Sequence, residues 1–144
     1  MAYPTIDRPY GLKPVNLIGG QVFAGATRQL VIANTTGTGY NTNIFYGDIV
    51  KIVSDGTIEK DTGTSTATPV GVFMGCTYTD PSSKQPRWSQ YWPTGTVASD
   101  AQAYVVDDPD VLFKIAAVSA TTTVAFYGQT VIGNNVSLVQ NAGS

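Results

Sequence analysis

Gly47-Asp48-Ile49-Val50-Lys51-Ile52-Val53-Ser54-Asp55-Gly56-Thr57-Ile58 and, beyond a polar loop, Pro69-Val70-Gly71-Val72-Phe73-Met74-Gly75-Cys76-Thr77-Tyr78 decide the fold class. In the first piece Ile49, Val50, Ile52 and Val53 fall on both sides of a period-2 ladder interrupted only by Lys51. A strand apolar on both faces belongs in the middle of a sheet. Asp55-Gly56 then gives a strong turn signal. In the second piece strict alternation puts Val70, Val72, Met74 and Cys76 on one face, and Gly71, Phe73 and Gly75 on the other. Glycines at such positions let a neighbouring strand come close, with the Phe73 ring covering the gap. The two strands read as the spine of a small β-barrel.

Downstream, residues 79–96 form an irregular insertion that carries both tryptophans, in Arg87-Trp88-Ser89-Gln90-Tyr91-Trp92-Pro93. Extended geometry would put Trp88 and Trp92 on one face and Tyr91 on the other. Such a cluster caps a core, contacts a protein or stacks on sugar, since Trp, Tyr and Arg dominate interface hot spots. Ala101–Val106 and Val111–Ala117 read as strands, the latter presenting Phe113, Ile115 and Ala117 on one face. They are joined by Asp107-Asp108-Pro109-Asp110, whose three carboxylates invite a calcium reading. The spacing fits no EF-hand loop, and a proline-centred turn with solvated carboxylates is the better reading. A last strand is expected at Val136–Val139 after a Gly133-Asn134-Asn135 turn.

Upstream, Leu30 and Ile32 alternate against Gln29 and Val31 as a strand. Residues 1–20 read instead as an extended arm: Pro4, Pro9 and Pro14 bias their predecessors to extended backbone, and Gly19-Gly20 ends the segment. The arm is too rich in aromatic and branched residues for a solvated tail. It either folds back as an edge strand or docks on a neighbouring subunit. The domain reading is therefore an arm at 1–20 and a single β domain at 21–144, all-β, a small antiparallel barrel or sandwich.

Composition narrows the function. Charged residues are 12% of the chain, against roughly 25% in soluble domains, which suggests that surface exposed in a monomer is covered in the working state. Net charge is −2 with the basic residues scattered, so no stripe exists to neutralise phosphates and nucleic acid is not an expected partner. No stretch reaches the ~20 apolar residues of a membrane span, and the N-terminus lacks the pattern of a secretory signal. Cys76, on an apolar strand face, reads as a buried inert thiol. The chain has no histidine and one glutamate, Glu59, which removes His-based triads and zinc motifs. No enzyme, metal site or cofactor is expected.

The opening Tyr3-Pro4-Thr5-Ile6-Asp7-Arg8-Pro9-Tyr10-Gly11-Leu12-Lys13-Pro14-Val15 resembles the small capsid decoration (cement) proteins of tailed bacteriophages, of the marine and cyanobacterial phage type. Gly47-Asp48-Ile49-Val50, Gly71-Val72-Phe73, Asp108-Pro109-Asp110-Val111-Leu112-Phe113 and Gly133-Asn134-Asn135 extend the likeness over most of the chain. The resemblance implies a structural protein made in the host cytoplasm and carried on the outer surface of the virion. It implies the major capsid protein as partner and self-association, on family analogy as a homotrimer. The residues expected to bind partners are Tyr3, Pro4, Ile6, Arg8, Tyr10, Leu12, Val15 and Leu17 in the arm, with Trp88, Tyr91 and Trp92 in the insertion. Two other readings stay open: a carbohydrate-binding module with Trp88, Tyr91 and Trp92 as its platform, and another virion part such as a head fibre base or tail protein.

Overall fold

The structure is a computed structural model that describes residues 10–33, 35, 37–63, 66–118 and 125–138. Its strands are β1 (Lys13–Leu17), β2 (Arg28–Val31), β3 (Ile49–Ile52), β4 (Ile58–Lys60), β5 (Gly71–Thr79), β6 (Pro86–Ser89), β7 (Gln102–Val106) and β8 (Val111–Lys114). They form a six-stranded sheet of order β2-β7-β5-β3-β4, with β6 also on β5, and a two-stranded ribbon β1-β8. All named pairings are antiparallel. The protein is all-β.

β5 is the spine, as its length and apolar content predict. β7 runs along one edge, while β3 and then β6 share the other. The hairpin from β3 to β4 closes at Asp55-Gly56. Gly56 has φ +83, and the Asp55 carboxylate accepts from the Thr57 amide at 3.1 Å and hydroxyl at 2.6 Å. The sheet curls until its edges meet at a single parallel bridge, Ile32 to Ile58, where the Ala33 amide donates to the Ile58 carbonyl at 3.0 Å. Among the described residues no continuous ladder closes it. The expected barrel is thus an open, curled sheet with a separate two-stranded ribbon, and of the two expected forms the sandwich is the one left.

Strict alternation along β5 also fails. The register on β7 slips between Phe73 and Gly75. Gly75 takes φ +148, which side-chain-bearing residues rarely adopt. One extra residue in a strand flips every side chain that follows. Phe73, Cys76 and Tyr78 therefore all enter the core, where alternation would have parted Phe73 from Cys76. Trp88 on β6, not Phe73, covers the bare Gly75: a Cβ there would stand 3.1 Å from its ring. The close approach expected at Gly71 does occur, against the Val106 carbonyl and the Val105 side chain of β7. Gly71→Ala should push β5 and β7 apart and cost about 1–3 kcal/mol. Thermal unfolding would read this as a lowered midpoint, and an unchanged one would contradict the packing.

Two further expectations are corrected. β8 stops at Lys114 rather than Ala117, leaving Ile115 exposed. Val136–Leu138 lies in no strand, and Val139 is outside the described residues. The connection Asp107–Asp110 does join two strands, and there the chain passes from the large sheet to the ribbon. The short strand β4 and the 3-10 turn at Gln129–Val131 carried no recognised sequence signal.

Candidate functional site: exposed apolar surfaces

The aromatic insertion divides between inside and outside. β6 ends at Ser89 and the chain bends at Gln90 and Tyr91, so Trp88 and Trp92 do not share a face. Trp92 is fully buried at 0% exposure. Its backbone is locked to Ile44 by reciprocal amide–carbonyl bonds of 2.7 and 3.2 Å. Its ring meets Tyr78 edge-on, with centroids 5.2 Å apart. Trp88 is 58% and Tyr91 44% exposed, and Tyr91 stacks on Phe45 at 5.7 Å. Trp88 borders an open cleft with Tyr78, Arg87 and Asp100. The predicted partner-binding triplet is thus two surface aromatics and one core residue.

The arm divides as well. Tyr3, Pro4, Ile6 and Arg8 lie outside the described residues. From Tyr10 onward the chain folds against its own body. Gly11 sits on Gly47 so closely that a Cβ would lie 2.7 Å from the Gly47 carbonyl oxygen. The Leu12 amide donates to that same oxygen at 3.1 Å. β1 then pairs with β8, and the Ile18 amide donates to the Asp110 carbonyl at 2.8 Å. Tyr10 is half-buried beneath two ammonium groups, Lys13 Nζ at 4.6 Å and Lys114 Nζ at 5.9 Å from its ring centre. Pro14, Leu17, Val111 and Phe113 form the inward face of the ribbon and are buried or half-buried. Val15, Ile18 and Leu112 are left exposed. Of the predicted arm residues, Tyr10, Leu12 and Leu17 are therefore at least partly packed, and Val15 faces outward.

A second exposed surface was not among the predicted site residues. Phe126, Ile132 and Val136 are exposed in the segment 125–138, Phe126 at 94%. Among the described residues the Ala125 amide donates to the Ala117 carbonyl at 2.9 Å, and the Tyr127 hydroxyl to the Val118 carbonyl at 2.9 Å. A signal was available, because no Asp, Glu, Lys or Arg follows Lys114.

The titratable groups do structural work. Burial pushes the Cys76 thiol up to about 12, and its Sγ–H donates to the Tyr91 carbonyl at 3.4 Å. Thiolate reagents should leave the folded protein unlabelled at pH 8 and label it fully in denaturant, as a timed thiol assay would show. In the turn between β7 and β8, Asp107 pairs with Arg28 at 2.8 Å, and the Asp108 carboxylate accepts from the Asp110 amide at 2.9 Å. Those carboxylates organise the backbone. Among the described residues no group of three or more Asp, Glu or Cys is placed to hold a metal ion.

The insertion is likewise tied by carboxylates. Asp80 accepts from the Ser82 hydroxyl at 2.6 Å and amide at 2.8 Å, and Asp100 from the Thr79 hydroxyl at 2.5 Å and amide at 3.1 Å. These bonds hold both carboxyls below their ordinary value of 3.8. Each carboxylate thus adds stability that is complete above that value and is lost as pH falls through its lowered one. Unfolding midpoints should decline on acidification below about pH 4. Asp80→Asn with Asp100→Asn should flatten that decline in a pH series of thermal unfolding.

Comparison with known protein families, with curated proteins and with solved structures finds no match. What defines the chain is an all-β body that buries a compact core while leaving separate apolar surfaces outside.

Proposed function

We propose that this is a structural virion protein, a capsid decoration or cement protein that binds the outer capsid surface and strengthens contacts between major capsid protein subunits. The observation that carries the reading is the exposure of large apolar side chains on the β1-β8 ribbon, on the 125–138 segment and at Trp88 and Tyr91. Scattered exposed apolar residues are ordinary, but contiguous ones rimmed by polar groups mark contact surfaces. A well-packed interface of roughly 800 Å² per partner holds firmly, and repetition over a shell adds avidity. The likeness of the opening residues to cement proteins supports the same reading. Because β1 pairs within the body, the parts of the expected arm proposed for partner contact are the segment 1–9 and the outward-facing Val15 and Ile18.

Occupancy on purified particles tests the proposal. Deleting residues 2–9 keeps β1 intact and should lower occupancy at least tenfold; undiminished binding would remove the arm from the mechanism, and no binding by the intact chain would remove the proposal. The carbohydrate alternative loses a third of its platform, since the buried Trp92 ring is not available for stacking.

A further inference from the structure

We infer that the outward face of the large sheet binds a neutral oligosaccharide, across Trp88, Tyr104 and the amides of Gln29 and Gln102. The register builds this face. Leu30, Cys76, Tyr78 and Ala103 pack in or against the core. Neighbouring residues of a strand point to opposite faces, so Thr77 on β5, Gln102 and Tyr104 on β7 and Gln29 on β2 point outward. Trp88 on β6 is the cross-strand partner of Thr77, Gln102 pairs with Thr77 from the other side, and Tyr104 stands between Gly75 and Gln29. All five side chains are half-buried or exposed, Trp88 at 58%.

Two rings flank a bare glycine. The Trp88 ring lies over Gly75 from β6, 3.1 Å from where a Cβ would stand, and Tyr104 is paired with Gly75 on β7. Adjacent strands lie about 4.8 Å apart, so β6 and β7, on either side of β5, set the two aromatic residues about 10 Å apart at their backbones. That is the length of a disaccharide.

The polar groups suit the same ligand. A pyranose ring has an apolar C–H face, which an aromatic ring covers, and a rim of hydroxyls that both donate and accept. Gln29 and Gln102 each present an amide oxygen and an NH₂ group, and Thr77 a hydroxyl that does both. Asp100 lines a cleft of about 480 Å³ with Trp88 and Thr77, a size within the roughly 300–1,000 Å³ of small-ligand sites. Its carboxylate is fixed by the Thr79 hydroxyl and amide at 2.5 and 3.1 Å, which leaves about two of its lone-pair positions for a ligand. Arg87, the other charged group of the cleft, is held by Asp80 at 3.2 Å. The opposite charges of Arg87 and Asp100 offset each other, which favours a neutral ligand over an acidic or a basic one. This is not the platform expected from the sequence: Trp92 lies in the core and Tyr91 stacks on Phe45. The inference is independent of the virion reading, since particle occupancy and sugar binding are separate measurements and either can fail alone.

Saturation-transfer NMR on the purified full chain tests it, with maltotriose, cellotriose, chitotriose and mannotriose as neutral probes. At least one should bind with a Kd of about 1 mM, the range open to a small polar ligand on an open face. The matching methyl monosaccharide, which meets only one ring, should bind at least tenfold more weakly. Trp88→Ala and Gln29→Ala, both at exposed positions, should each weaken binding about fivefold or more with an unchanged circular dichroism spectrum, and Tyr104→Ala likewise. Tyr91→Ala should bind as the wild type does. Failure of all four trisaccharides to bind, binding that survives Trp88→Ala or Gln29→Ala, loss of binding with Tyr91→Ala, or tighter binding of trigalacturonate or trilysine would each overturn the inference.

Discussion

Asp48→Ala should destabilise the protein by about 3–5 kcal/mol, the range for breaking a buried ion pair from one side. The Lys60 ammonium lies 3.1 Å from Asp48 Oδ2, with its side chain only 3% exposed. That oxygen also accepts from the Phe45 amide at 2.9 Å, so one carboxylate both shapes the turn before β3 and neutralises the buried lysine on β4. The Tyr40 hydroxyl accepts from the Lys60 amide at 3.0 Å and ties the neighbouring loop to the same strand. Removing Asp48 takes away the carboxylate 3.1 Å from the buried ammonium, and the midpoint should drop by about 10 °C or more. Lys60→Met should be milder, because an apolar chain of similar reach fills the space and Asp48 keeps its amide partner. Combining the two should recover part of the Asp48→Ala loss. Denaturant unfolding of the four proteins gives the cycle; a loss under 1 kcal/mol for Asp48→Ala would show that the pair is solvated.

The second large effect is at Trp92. Trp92→Ala should cost about 3–5 kcal/mol, since the ring fills the centre of the core and the cavity collapses incompletely. Trp92→Phe should recover most of it. Nε1 is buried and has no hydrogen-bond partner among the described residues, so the change removes an unsatisfied donor along with some volume. Trp88→Ala and Tyr91→Ala, at exposed sites, should shift stability far less. Should Trp88→Ala unfold the protein as readily as Trp92→Ala, the division of the insertion into core and surface would be wrong. The contrast also separates two uses of one motif: Trp92 changes should act on particle binding through folding, and Trp88 changes without it.

Much of this was legible in the chain. The run from Ile49 to Val53, the Asp55-Gly56 turn and the long apolar stretch through Gly71–Thr79 announced adjoining strands, and β3 and β5 do pair. Leu30 and Ile32 turned inward as their alternation required. Cys76 is buried, as its position on an apolar strand suggested. The aromatic insertion was conspicuous, but its sequence could not say which ring enters the core. That depends on a bend after Ser89 and on the facing strand segment at Ile44, distant in sequence.

Sequence alone determined the class of structure. Periodicity, turn residues and glycine are local properties, and they are enough to specify strands and hairpins. The tertiary structure decided the rest, because each remaining question turned on contacts between distant residues. The bulge at Gly75 set which side chains of β5 face inward, and the Gly11–Gly47 contact brought the root of the arm onto its own body. Pairing of β1 with β8 left Val15, Ile18 and Leu112 outside, and the segment 125–138 remained uncovered. Exposure is a property of what does not come near, and although the uncharged run after Lys114 hinted at a covered segment, no local pattern says which apolar side chains stay outside.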